Sequence, residues 1–84
     1  MKIYSAILEN NEIFDYLVTR NLLKQYKQAK LKILSNYRWK TDFKERKPTG
    51  SGIFSFRINK QFRAFCIENN DILIVFEINN HQNY

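Results

Sequence analysis

The side chains of this sequence that could carry out chemistry are mainly cationic and aromatic, and most lie in its second half. Six basic residues are spread over one stretch of that half: Lys44, Arg46, Lys47, Arg57, Lys60 and Arg63. A histidine and a tyrosine, His81 and Tyr84, follow close to the C-terminus. Arginine donates paired hydrogen bonds to phosphate oxygens, and histidine has the unperturbed pKa best suited to proton transfer near neutral pH. These residue types favour chemistry on a phosphodiester.

RNA carries its own nucleophile, the 2′-hydroxyl group, so a protein can cleave it without a metal ion. The protein must remove the 2′-hydroxyl proton, stabilise the dianionic phosphorane and protonate the 5′-oxygen. Arg57 and Arg63 are candidates for phosphorane stabilisation, and His81, assisted by Tyr84 or a lysine, is the candidate for proton transfer. Alternatively, both arginines solvate an exposed sheet face and the two terminal residues have no role. In either case Arg63→Ala is expected to leave the fold intact.

Several kinds of site are missing from the sequence. There is no phosphate-binding Gly-Lys-Ser/Thr loop, no Cys/His ligand set and no pair of closely spaced carboxylates, so we predict neither a metal site nor a cofactor. The single cysteine, Cys66, lies in an apolar run, which predicts a buried, reduced thiol and a cytoplasmic location. No stretch approaches the ~20 apolar residues of a membrane span, so no membrane partner is expected.

Positive charge is concentrated in the middle of the chain. The net charge of the 84 residues is +6, yet residues 20–63 hold 13 Lys and Arg against two acids, Asp42 and Glu45, which gives this window +11. Such a window can bind phosphates with release of counterions. A solvated helix face with a charged loop is the ordinary alternative, and an acidic protein partner would use the same charge.

Hydrophobic periodicity predicts the elements that position these residues. Apolar residues at helical spacing run from Ile13 to Ile33, with a cap at Asn10 or Asn11, a break near residues 19–21 and an end at residues 35–36. This pattern predicts two helices. Tyr37, Trp39 and Phe43 follow beside lysines as a possible base-stacking set, although at least two of the three are expected to cap the core instead.

A loop with the only glycines and the only proline, residues 48–52, separates the helical half from a strand-forming half. Phe54, Phe56 and Ile58 alternate with polar residues, which predicts a strand with Arg57 on its exposed face. Residues 62–68 and 72–79 predict two further strands, and residues 2–8 a short one. We therefore expect one α+β domain over residues 1–84, with a short N-terminal strand, two helices and a three-stranded antiparallel sheet.

Three segments resemble toxins of the RelE/ParE superfamily. Residues 52–65, GIFSFRINKQFRAF, resemble the central hairpin of these toxins, in which an arginine strand, a short turn and an aromatic–Arg pair follow in that order. Residues 77–84, EINNHQNY, resemble the ending of many members, and residues 42–48, DFKERKP, resemble the basic loop before the hairpin. The resemblance covers residues 42–84 in order and spacing, whereas the first half agrees only in its two helices.

This resemblance implies a RelE/ParE-like microbial ribonuclease fold and the toxin of a type II toxin–antitoxin system. Such a toxin enters the ribosomal A site, cleaves mRNA without a metal ion, inhibits translation and is neutralised by a cognate acidic antitoxin. Arg57 and Arg63 match the phosphate-stabilising arginines of the family, and His81 and Tyr84 match its C-terminal acid/base or stacking residues. Lys44, Lys47 and Lys60 match only as basic positions in the equivalent segments. Together with Arg46 they are the candidate RNA-binding residues.

The general base and the target stay open at this point. Glu45 could stand in for the carboxylate base of one branch of the family, so the base is Glu45, a lysine or His81. The ParE-like branch poisons DNA gyrase and needs no ribonuclease residues, which makes it a second function on the same fold. A non-catalytic nucleic-acid-binding module would use the +11 window and bind with steep salt dependence. The presence of His81 with Tyr84 favours the ribonuclease.

Overall fold

The computed structural model describes residues 3–80, which form an α+β fold. Within that range the strands are β1 (Ala6–Glu9), β2 (Lys44–Glu45), β3 (Ile53–Arg57), β4 (Phe62–Asn69) and β5 (Ile72–Asn80). The helices are α1 (Asn11–Thr19), α2 (Leu23–Leu34) and a short 3₁₀ helix, Arg38–Thr41. None of the helices in this range has the length and apolar character that crossing a membrane requires.

The helix boundaries follow from capping residues. Asn10 caps α1, because its side-chain oxygen accepts a hydrogen bond from the backbone N–H of Ile13 at 2.8 Å. Asn21 and Asn36 follow the two helices with φ of 58° and 68°, a left-handed conformation that asparagine adopts more readily than most residues. The two predicted helices and the break between them are therefore present.

The helices cover one face of the sheet and form the core with it. The buried residues of the core come from both helices, four strands and the segments beside them: Tyr4, Ile7, Ile13, Leu17, Leu22, Tyr26, Ala29, Ile33, Phe56, Ile58, Ala64, Cys66, Leu73 and Val75. Cys66 is completely buried, as the sequence predicted. Burial, with a smaller contribution from the charge of Glu68, raises the pKa of its thiol to about 12.

A polar cluster ties α2 to the edge of the sheet. The Glu9 carboxylate at the end of β1 accepts hydrogen bonds from the Tyr26 hydroxyl at 2.5 Å and the Lys30 ammonium at 2.8 Å. Burial alone would raise the pKa of Glu9, but these two hydrogen bonds and the charge of Lys30 together lower it below its ordinary value. Glu9 is therefore ionised at neutral pH.

The sheet is larger than the sequence predicted. In the described part of the chain it has five strands in the order β1-β5-β4-β3-β2, and β1 runs parallel to β5. The sequence predicted a three-stranded antiparallel sheet with a separate short N-terminal strand, so this expectation is corrected to a five-stranded mixed sheet. The strand β2 was expected to be a basic loop, because two charged residues carry no alternating apolar pattern.

Strand register decides which residues share the face of the sheet opposite the helices. Ser55 lies opposite Phe65 across the β3–β4 pair, and Arg57 lies opposite Arg63. Because paired residues on neighbouring antiparallel strands point to the same side, these four side chains lie together. Lys44 of β2 pairs with Ser55 and joins them.

Candidate functional site

A cleft of about 610 Å³ lies on the sheet face opposite the helices. Nine residues line it: Asp42, Lys44, Glu45, Arg46, Lys47, Ser55, Arg57, Arg63 and Phe65. Five of these residues are basic and two are acidic, so the lining is positively charged. A concave site of this kind concentrates anions and raises the rate at which they associate.

Arg63 forms the floor of the cleft. Its guanidinium donates to Asp42 Oδ2 at 2.8 Å, to the Asp42 backbone carbonyl at 2.8 Å and to Ser55 Oγ at 2.9 Å. Only 7% of the residue is exposed. The expectation of an exposed sheet arginine was wrong, because the segment that follows the 3₁₀ helix folds over Arg63. The guanidinium thus attaches this segment to the sheet.

The Asp42 carboxylate lies at the centre of the cations. Its Oδ2 is 2.8 Å from Arg63 Nη1, 3.6 Å from Arg57 Nη2 and 3.7 Å from Lys44 Nζ. Burial raises the pKa of Asp42, but the hydrogen bond from Arg63 and the charges of all three cations outweigh this and hold the pKa below its ordinary value. The carboxylate is therefore ionised at neutral pH and draws the cations together.

Arg57 and Lys44 are the cations of this cluster that solvent reaches. Their side chains are 49% and 63% exposed, and each lies more than 3.5 Å from the Asp42 oxygen. Exposed ion pairs of this kind contribute little to stability and exchange partners easily. A phosphate entering the cleft can therefore receive hydrogen bonds from Arg57 and Lys44 while Arg63 stays bound to Asp42.

The loop between β2 and β3 supplies the remaining wall. The guanidinium of Arg46 lies over the Phe65 ring, 4.8 Å from its centroid, in a cation–π contact. Glu45 Oε2 accepts a hydrogen bond from the backbone N–H of Gly52 at 3.3 Å. Gly52 has a φ of 76°, which glycine adopts without the steric cost of a side chain. Glu45 and Arg46 are thereby each held by a contact to a neighbouring segment, and both line the cleft.

The predicted site residues divide into three groups. Five of them line the cleft: Lys44, Arg46, Lys47, Arg57 and Arg63. Lys60 lies instead in a neighbouring groove, which shares Arg57 with the cleft. His81 and Tyr84 lie outside the described residues. In residues 3–80, no group of three or more His, Cys, Asp or Glu side chains is placed to hold a metal ion.

Asp42 is the site residue that the sequence did not identify. It was visible there only as one of two acids in the basic window. Its partner Arg63 is 21 residues away in the chain, so the contact depends on the tertiary fold. An acid isolated among many cations is the signal that could have indicated it.

Comparison with protein-family models, with curated proteins and with solved structures finds no match for this chain. The assignment of a function therefore depends on the chemistry of the cleft. Its cations can bind phosphate oxygens, and its two carboxylates can accept protons or hydrogen bonds from hydroxyl groups. Sugar-phosphate chains offer both kinds of group.

Proposed function

We propose that the cleft binds the sugar-phosphate backbone of RNA and that the protein is a metal-independent endoribonuclease. The observation that carries this proposal is the gathering of five cationic side chains in one cleft, three of which lie within 4 Å of an ionised carboxylate. Arg57 and Lys44 donate hydrogen bonds to the non-bridging oxygens of the bound phosphate. These hydrogen bonds become stronger as negative charge builds up on the phosphorane. An interaction that is stronger in the transition state than in the bound substrate accelerates the reaction, whereas one of equal strength in both only aids binding.

In the proposed reaction a carboxylate accepts the 2′-hydroxyl proton, and the 2′-oxygen attacks phosphorus. The bond from phosphorus to the 5′-oxygen breaks, and the leaving oxygen takes up a proton. The products are a 2′,3′-cyclic phosphate and a 5′-hydroxyl group. His81 and Tyr84 stay the sequence-based candidates for donating that proton.

We assign the proton acceptor to Glu45 rather than to Asp42. The lowered pKa of Asp42 makes its carboxylate a weak base, and Arg63 already occupies Oδ2. Glu45 lines the same cleft and is held by the backbone N–H of Gly52. Asp42 then has a positioning role, because it keeps Arg57 and Lys44 beside the place where the phosphate binds.

The resemblance to RelE/ParE toxins extends this proposal to a biological role. We propose a cytoplasmic toxin that cleaves mRNA on the ribosome, inhibits translation and is neutralised by a cognate acidic antitoxin. The charge of the cleft supports both partners, because an acidic protein segment is attracted to a basic cleft as a nucleic acid is.

The test is cleavage of mRNA in a translating extract, with mapping of the RNA ends. The wild type is expected to produce 2′,3′-cyclic phosphate ends. Arg57→Ala is expected to reduce the rate about 10²- to 10³-fold, the usual loss for one transition-state donor. Lys24→Ala, which removes the same charge from an exposed position on α2, is the matched control and should cleave normally.

Other outcomes select other functions. Gyrase-dependent DNA breaks without RNA cleavage would identify a gyrase poison. RNA binding with steep salt dependence but no cleavage would identify a non-catalytic binding module. Equal cleavage by Arg57→Ala and the wild type would refute the proposed role of the cleft.

A further inference from the structure

A second groove, of about 330 Å³, lies between α2 and the turn that joins β3 to β4. All the charged residues in its lining are cationic: Lys32, Lys40, Arg57 and Lys60. Gln25 of α2 also lines the groove, and its side-chain oxygen accepts a hydrogen bond from the Asn59 side chain at 2.9 Å. Arg57 lines both the groove and the cleft, so the two positively charged depressions adjoin at this residue.

An exposed aromatic pair stands at the Lys40 side of this groove. Tyr37 and Trp39 are 51% and 57% exposed, and their rings meet edge to face with centroids 5.5 Å apart. Lys40 Nζ, which belongs to the groove lining, lies 5.6 Å from the Tyr37 ring centroid and 5.4 Å from that of Trp39. The rings are thus joined to the groove through Lys40.

This exposure differs from what the sequence predicted. At least two of Tyr37, Trp39 and Phe43 were expected to cap the core, but only Phe43 does so, by packing against Tyr4 and Phe54. The other two rings leave large apolar surfaces in water. Exposed aromatic rings beside a cationic groove are the arrangement that proteins use to stack the bases of single-stranded nucleic acids.

We propose that the groove and the Tyr37–Trp39 pair form a second subsite for single-stranded RNA. In this subsite one base stacks on Trp39, while Lys32, Lys40 and Lys60 bind successive backbone phosphates. Arg57 connects the subsite to the cleft, so one RNA strand occupies both. This inference rests on the proposed function of the cleft. It adds that the RNA strand bound in the cleft continues past Arg57 into the groove. A protein ligand would also use Trp and Tyr, but four cations in the lining favour a polyanion.

Trp39 is the only tryptophan of the chain, so its fluorescence reports the subsite directly. The probe is a 2′-O-methyl RNA of about eight nucleotides, within the ~4–16 nucleotides that single-strand sites cover. It cannot be cleaved, because its 2′-oxygen nucleophile is blocked. Binding should quench Trp39, and an end-labelled probe should report overall affinity by anisotropy.

Three variants are expected to differ from the wild type in defined ways. Trp39→Ala should weaken binding about tenfold, whereas Trp39→Phe should retain most of the affinity because it keeps a stacking ring. In a plot of log K against log salt concentration, Lys32→Ala should make the negative slope shallower by about 0.7, as expected for the loss of one phosphate contact to a single strand. The control Lys24→Ala lies on the same helix outside the groove and should change neither value.

Two possible results of these binding measurements separate this inference from the proposed function of the cleft. Binding that is weakened by Lys44→Ala in the cleft but unchanged by Trp39→Ala, with no quenching of Trp39, would overturn the subsite and leave the cleft as the RNA site. The absence of any binding by the wild type would overturn both. As a control, circular dichroism of each variant should show the wild-type spectrum, because each substitution replaces an exposed side chain.

Discussion

Replacing Arg63 by Ala is expected to destabilise the protein strongly, although the residue lies on a sheet face. The substitution removes three hydrogen bonds, two to Asp42 and one to Ser55 Oγ. Ser55 is buried and loses this partner, and the Asp42 segment loses its attachment to the sheet. The neighbouring Arg57, in register with Arg63 on β3, is half exposed and serves as the matched control.

The magnitude follows from burial and charge. Breaking a fully buried ion pair typically costs about 3–5 kcal/mol, but the Asp42 side chain is 44% exposed and water can replace part of the lost interaction. Hydrogen bonds to charged groups contribute about 1.5–3 kcal/mol, so we expect a loss of about 2–3 kcal/mol for Arg63→Ala. Arg57→Ala should cost no more than about 0.5 kcal/mol, as for other exposed ion pairs. A domain of this size has only about 4–12 kcal/mol in total.

The assay is equilibrium unfolding in urea and by heat, with both variants beside the wild type. Each kcal/mol shifts the Tm of a domain of this size by about 4–8 °C, so Arg63→Ala should unfold about 8–24 °C lower. Arg63→Lys should lie between, because lysine keeps the charge but lacks the planar fork that reaches several acceptors. If Arg63→Ala and Arg57→Ala unfold at the same temperature, the assigned role of Arg63 is refuted.

Further predictions concern charge, acidity, thiol reactivity and the C-terminus. Asp42→Asn should slow cleavage, because Arg57 and Lys44 are no longer held beside the bound phosphate, even though removal of a negative charge favours binding of the 2′-O-methyl RNA at low salt. Cleavage at the wild-type rate would contradict the positioning role of Asp42. The pKa of Glu9 is lower in the folded protein than in the unfolded chain, where it is about 4, so the ionised carboxylate stabilises the fold. This stabilisation is complete above the pKa of the unfolded chain and is lost as the pH falls through the pKa of the folded protein. Glu9→Gln should therefore be less stable than the wild type at neutral pH, and the difference should disappear in strong acid; a constant difference would show that the carboxylate charge is irrelevant. Cys66, with a pKa of about 12, should resist alkylation at neutral pH until urea unfolds the chain, whereas rapid labelling of the folded protein would contradict its burial. His81→Gln should remove the dependence of any remaining cleavage on a group near pH ~6–7, and an unchanged pH profile would exclude His81 as the proton donor.

Local sequence signals predicted the helical half well. Apolar residues at helical spacing and asparagines at the ends were sufficient, because helix formation and capping depend on neighbours within a few positions. The alternation around Phe54, Phe56 and Ile58 likewise predicted the strand that carries Arg57. Contacts within a turn of helix or along one strand are encoded locally, and these parts agree with the structure.

Features that depend on distant segments were not predicted. The strand β2 exists because Lys44 and Glu45 pair with β3, and their own sequence contains no strand signal. The burial of Arg63 and the role of Asp42 arise from one contact across 21 residues. The exposure of Trp39 was missed because hydrophobicity alone favours a core position, whereas the 3₁₀ helix turns this ring outward.

The most direct test of the central claim, that RNA binds in the cleft, is an NMR chemical-shift titration with the 2′-O-methyl oligonucleotide. The largest backbone amide shifts are expected at residues 44–47 and at Ser55, Arg57 and Phe65, and they should decrease steeply as salt is added. The amides of Glu12 and Asp15 on α1, outside both depressions, should not move. Shifts confined to α1, or no shifts at low salt, would contradict the assignment of the cleft as an RNA site.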